Sequence, residues 1–150
     1  MSVNSDFRDL LSEFNAADVR YLVVGGYAFF FHATPRFTKD LDIWIEPTAE
    51  NAARVMAALQ RFGAPLDTLT AEDLAAPGIT FQMGLPPNRI DLLTDVTGVT
   101  FADAWARKIE GRYGDQRMWV LSRADLIANK KAVARPKDLE DVAELERKPD

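Results

Sequence analysis

Apolar positions recur along the chain with two spacings, and the switches between them mark the elements. From Ser5 to Asn15 the residues Phe7, Leu10, Leu11 and Phe14 fall on one helical stripe, with Ser5 or Asp6 as its cap. Tyr21 to Val24 is a short unbroken apolar run and predicts a buried strand. Helical spacing resumes from Gly26 to His32. It gives way to a loop over Thr34-Pro35-Arg36-Phe37-Thr38, because a residue preceding proline avoids helical backbone. Leu41 to Ile45 alternates and predicts a second strand. Pro47 then opens a helix over Ala49 to Phe62, capped by Thr48 and stopped by Gly63, with Val55, Met56, Leu59 and Phe62 facing inward.

The second half follows the same logic. Thr70 to Leu74 predicts a capped helical turn. Ile79 to Met83 and Arg89 to Leu93 predict two strands of a hairpin, joined across a turn that contains Pro86-Pro87. Phe101 to Arg107 has helical character. Trp119 to Leu121 reads as a short strand, after which Ser122 caps a helix from Arg123 to Ala134. Pro136 breaks that helix and begins another, which runs to about Arg147. Strands alternating with helices predict an α/β or α+β fold, a sheet with helices packed on it. No internal repeat interrupts the pattern.

Composition narrows the class. With 150 residues and no long polar linker, one domain over 1–150 is expected, its C-terminal part helical from about residue 122. A hydrophobic content of 47% is enough for a real core. The absence of cysteine excludes disulfides, thiol nucleophiles and thiolate zinc sites, and fits a cytoplasmic protein. A single histidine, His32, excludes a polyhistidine metal site and reads as packed or capping. The stretch from Tyr21 to Ala33 is too short to span a bilayer, so no membrane association is expected. A net charge of −5 argues against a general nucleic-acid binder. The charge is uneven, however. Lys130, Lys131, Arg135 and Lys137 occur together without an intervening acid, a cluster suited to a triphosphate or an RNA backbone.

The candidate chemistry sits around the second strand. Asp40 and Asp42 alternate with Leu41, Ile43 and Ile45, so both carboxylates share one strand face, about 7 Å apart. Two bare carboxylates on one face repel, and a divalent cation between them turns that repulsion into binding energy. Hard oxygen ligands suit Mg²⁺ or Mn²⁺. Gly25-Gly26 at a helix start offers bare backbone N–H groups suited to phosphate. Asp91 alternates with Ile90 and Leu92 on a later strand; beside the first two it completes a three-acid cluster able to hold two metals for in-line phosphoryl transfer, with Asp91 as general base. Tyr27 is placed to line a nucleotide site. Arg36 and Lys39 flank the acidic pair and would either steer an anionic substrate, Lys39 as a nucleotide contact, or neutralise the two aspartates in the resting protein. Trp44 and Trp119 read as packing residues, and Asp138 and Asp141 as salt-bridge partners of nearby cations.

In order and spacing, Gly25-Gly26, Asp40-Leu41-Asp42 and Asp91 resemble the nucleotidyltransferase superfamily, whose fold is shared with DNA polymerase β. The text from Tyr21 to Ala28, then Thr38 to Asp42, and the ending Asn129 to Asp141 are similar to a small bacterial branch near the AbiEii-type toxins and the minimal nucleotidyltransferases. The resemblance covers nearly the whole chain. It implies a mixed, twisted sheet flanked by helices, binding Mg²⁺ and a nucleoside triphosphate. Gly25 and Gly26 would contact phosphates, Asp40, Asp42 and Asp91 would hold metal, and Lys130 or Lys131 would reach the triphosphate or the acceptor. Gly26 stands where polymerase-like members carry serine, so a hydroxyl contact to phosphate is missing. With no appended acceptor-binding domain, acceptor choice is expected to come from a partner, a homodimer or a small acceptor. The expected activity is transfer of a nucleoside monophosphate to a hydroxyl of RNA, tRNA above all, or of a protein, with a toxin–antitoxin partner in view. The alternatives are transfer to a small antibiotic and a silent module that binds a partner.

Overall fold

The computed structural model describes residues 3–34, 40–84 and 88–147. Its first helix, α1 (Ser5–Ala16), turns Phe7, Leu10, Leu11 and Phe14 wholly inward. At roughly 2 kcal/mol for each such side chain, that stripe contributes about 8 kcal/mol before entropy is counted. The cap is Asn4, not Ser5 or Asp6. Its Oδ1 accepts from the backbone N–H of Asp6 at 2.9 Å and of Phe7 at 3.2 Å, satisfying two end donors, and Ser5 is already helical.

The chain continues through β1 (Tyr21–Val24), α2 (Gly25–His32), β2 (Leu41–Ile45), α3 (Ala49–Phe62), α4 (Ala71–Ala75), β3 (Thr80–Met83) and β4 (Ile90–Leu93). It ends in α5 (Phe101–Ala106), β5 (Ile109–Tyr113), β6 (Gln116–Val120), α6 (Arg123–Val133) and α7 (Pro136–Arg147). The turn containing Pro86-Pro87 and the segment from Pro35 to Lys39 lie outside the described residues.

The strands form one mixed sheet in the order β3-β4-β2-β1-β6-β5. β1 runs antiparallel to β2 and parallel to β6. β2 runs parallel to β4, and the outer pairs β3–β4 and β5–β6 are antiparallel. The register places Val24 opposite Asp42, Asp42 opposite Asp91, and Asp91 opposite Gln82, one row across four strands. This is the expected mixed sheet flanked by helices.

α3 forms over the predicted span. Thr48 caps it by accepting from the Asn51 N–H, and Gly63 ends it with φ of 92°. Its buried stripe is rotated from the expected one: Ala52, Val55, Ala58 and Leu59 face the core, while Met56 and Phe62 are half-buried. α3 packs against α1. Asn51, fully buried, fixes the strands beneath. It accepts from the Arg20 N–H at 2.8 Å and donates to the Arg20 and Glu46 carbonyls, both at 3.0 Å, tying the start of β1 to the end of β2.

One strand has no counterpart in the sequence reading. β5 pairs with β6 across a two-residue Gly114-Asp115 turn in which Gly114 has φ of 61°. Its residues Ile109, Glu110 and Arg112 are exposed, so this edge strand carries little apolar alternation. β6 correspondingly starts at Gln116 and not at Trp119. Trp44 is buried against the edge of Phe101, ring centroids 5.0 Å apart, a packing residue as expected. Among the described residues no helix is long and apolar enough to cross a membrane.

Candidate active site

β1 hands over to α2 without a loop. Val24, the last strand residue, is opposite Asp42, and Gly25 begins the helix with φ of 65°. A Cβ on Gly25 would overlap the Asp42 carboxylate. Glycine is therefore required here twice, for the left-handed backbone and for the close approach to Asp42. The cap residue of α2 is Val24, whose side chain accepts nothing from the first turn. The amides of Gly25, Gly26 and Tyr27 thus head a helix without a side-chain cap, next to a carboxylate.

Asp42 and Asp91 are register neighbours on adjacent parallel strands. Asp42 is pushed up to about 7, by burial first and then by the charges of Asp91 and Asp40, and it shares a hydrogen bond with Asp91. Burial also raises Asp91, against the opposing pull of Arg89. The Asp91 side chain is 13% exposed, and its Oδ1 is buried without a hydrogen-bond partner. Asp40, just before β2, is 37% exposed. The three aspartates picked out in the sequence thus gather at one end of β2 and β4.

Arg89 is in contact with this cluster, and the sequence reading did not single it out. Its Nη2 donates to Asp40 Oδ2 at 3.3 Å and lies 3.9 Å from Asp91 Oδ2. The signal was available: a basic residue two positions before Asp91 shares its strand face. Among the described residues no three carboxylates or histidines converge closely enough to enclose a metal ion, and a guanidinium stands among these three. The donor set nevertheless suits a hard divalent cation: carboxylate oxygens throughout, one of them orphaned, and one carboxyl that ionises only at a cost unless a cation joins it.

The remaining sequence candidates sit differently. Tyr27 is buried between Phe7 and Tyr113, with ring centroids at 5.9 and 5.8 Å. It lines a cavity of about 380 Å³ with Phe30, Phe31 and Met118, and none of the three aspartates lines that cavity. Lys130 donates to Asp141 at 2.8 Å and lies 3.8 Å from Asp138, all three side chains nearly buried. Lys131 pairs with Glu146 at 3.4 Å, and Arg135 pairs with Asp138 at 2.7 Å. Three members of the predicted phosphate-binding cluster are therefore engaged by acids of α7, the salt bridges expected of Asp138 and Asp141. Lys39 and Arg36 lie outside the described residues. His32 packs, its Nε2 2.7 Å from the Leu121 carbonyl oxygen.

Solved structures share this fold. The lincosamide antibiotic adenylyltransferase LnuA, solved with lincomycin bound, superposes with a TM-score of 0.59 at 15% identity, over 97% of this chain and 98% of its own. The antibiotic-resistance factor ANT(2'')-Ia gives 0.62 at 14%, over 94% and 80%. TM1012 from Thermotoga maritima gives 0.61 at 12%, over 97% and 94%. At such identities the likeness establishes the fold alone. No curated protein matches the sequence. A family model covers residues 1–146, which include the glycine turn and all three aspartates; the chain belongs to that family, the nucleotidyltransferases of unknown function DUF6036.

Proposed function

We propose that the protein transfers a nucleoside monophosphate from a nucleoside triphosphate to a hydroxyl, in a metal-dependent reaction. The observation that carries this reading is the Asp42–Asp91 pair with the Gly25 backbone pressed against it. Asp40, Asp42 and Asp91 would hold Mg²⁺ or Mn²⁺. Bound there, the metal would neutralise phosphate charge and support pyrophosphate departure. The uncapped amides of α2 would bind the phosphates. Lys39, adjacent to Asp40 in the chain, is retained as a further nucleotide contact. Asp91 would take the acceptor's proton at its unpartnered Oδ1, as a raised carboxyl suits a general base. The acceptor oxygen then bonds to the α-phosphorus while the bond to the pyrophosphate oxygen breaks.

The acceptor in this reading is RNA or protein, selected by a toxin–antitoxin partner or a second copy of the chain. The pairing of Lys130, Lys131 and Arg135 with α7 removes part of the charge argument for RNA. A second reading, transfer to a small hydroxylated compound, has its own observation in the antibiotic-modifying neighbours. The test is incubation with each triphosphate labelled at the α-phosphate, Mg²⁺, and either total RNA, cell lysate or an aminoglycoside and lincosamide panel. Label should appear on one acceptor class and disappear in the Asp40→Ala, Asp42→Ala double variant. Equal labelling by that variant would overturn the assignment.

A further inference from the structure

Arg89 poses a problem for a metal site. Its Nη2 touches Asp40 Oδ2 at 3.3 Å and approaches Asp91 Oδ2 at 3.9 Å, oxygens that a metal would need. A guanidinium and a divalent cation within a few ångströms of the same oxygens repel one another. Arg89 is also incompletely satisfied where it sits: its Nε is buried without a hydrogen-bond partner, as is Asp91 Oδ1 beside it. Its backbone cannot yield, because its carbonyl accepts from the Leu41 N–H at 2.9 Å and so fixes β4 against β2. Its side chain can. It is 35% exposed, and it carries the planar fork that binds phosphate in two places at once.

Building on the reading of the aspartates as metal ligands, we propose that Arg89 is a resident counter-cation that keeps divalent metal out of the cluster until a triphosphate draws it away. Metal and nucleotide then bind together and poorly one at a time. The triphosphate gives the guanidinium closer partners than its 3.3 Å contact to Asp40 and 3.9 Å approach to Asp91, and the departing arginine takes its charge away from those oxygens. Arg89 is a positioning residue on this view, acting on the order of assembly.

The test is calorimetric titration of Mn²⁺ into the full chain, with and without a methylene-bridged, non-hydrolysable ATP analogue. The wild type should bind Mn²⁺ at least about tenfold more tightly when the analogue is present, within the usual range of coupling between two ligands. Arg89→Met should bind Mn²⁺ alone about tenfold more tightly than wild type and lose most of the coupling, and Arg89→Lys should fall between them. Wild-type Mn²⁺ affinity indifferent to the analogue would overturn the proposal. So would a folded Arg89→Met, checked by circular dichroism, whose Mn²⁺ affinity is unchanged or lower. Asp42→Asn separates the two levels of the argument: Mn²⁺ binding as in wild type would remove the metal assignment itself, whatever Arg89 does.

Discussion

The carboxylate cluster makes a prediction about stability that needs neither metal nor substrate. Asp42 is raised from an ordinary value of 3.8 to about 7 by burial and by the acids beside it. Below about pH 4 folded and unfolded chains both carry a protonated Asp42, and the site's contribution is fully present. As pH rises through 7 the folded carboxyl must ionise next to Asp91 and Asp40, and that contribution is lost. A shift of this size sets an upper limit of about 4 kcal/mol, at 1.36 kcal/mol for each pH unit. Asp42 and Asp91 titrate as a coupled pair, so about 2 kcal/mol is the working expectation. Asn at position 42 presents an N–H to Asp91 much as the protonated acid does, and never ionises. Asp42→Asn should therefore match the wild type at about pH 3.5, where both states are protonated, and exceed it by about 2 kcal/mol at about pH 8.5, a rise in Tm of roughly 4–8 °C for a chain of this length. Urea unfolding of both proteins across that range, in the presence of a chelator, measures it. Parallel stability curves would show that Asp42 ionises without strain, and the electrostatic account of the site would fail.

Two further outcomes follow from the geometry. Gly25→Ala forces a methyl into the Asp42 carboxylate at a positive φ; nucleotidyl transfer should fall at least about a hundredfold and stability by roughly 2 kcal/mol, read by turnover and thermal melting, and an active, fully stable variant would contradict the described contact. Lys130→Ala removes a 2.8 Å charged partner from the buried Asp141, while Asp138 keeps Arg135, and should cost about 2 kcal/mol, whereas Lys131→Ala, which breaks a half-exposed pair, should cost less than about 0.5 kcal/mol; equal effects in urea unfolding would refute the distinction.

The features legible in the sequence are those encoded over a few residues. The stripe of α1, the Thr48 and Ser122 caps, the Gly63 stop and the alternation in β2 each read correctly because the causes are local. That the three aspartates come together was legible because strand periodicity fixes which way they face, and the register needed only to bring β4 beside β2. What the sequence did not show was set by partners distant in the chain. The ion pairs of Asp138 and Asp141 were legible, but how closely they engage Lys130 was not, because α7 is brought back against α6 by a joint at Ala134, whose φ is 58°. Tyr27 seemed bound for the glycine turn, but two residues along a helix is a rotation of about 200°, which carries it toward Phe7 and Tyr113. β5 was hidden because an exposed edge strand has no apolar period to detect.

The position of β1 has a consequence for synthesis. Tyr21-Leu22-Val23-Val24 is buried throughout, with β2 on one side and β6 on the other, and the β6 partner of Val23 is Val120. While the ribosome is making the intervening chain, β1 has its hairpin neighbour but lacks the strand that closes its other flank. For most of translation the nascent protein carries an open, wholly apolar edge, the kind that recruits other chains. Fragments ending before Val120 should therefore aggregate where the full chain folds, and the final hairpin acts as the closure that makes the sheet safe to release.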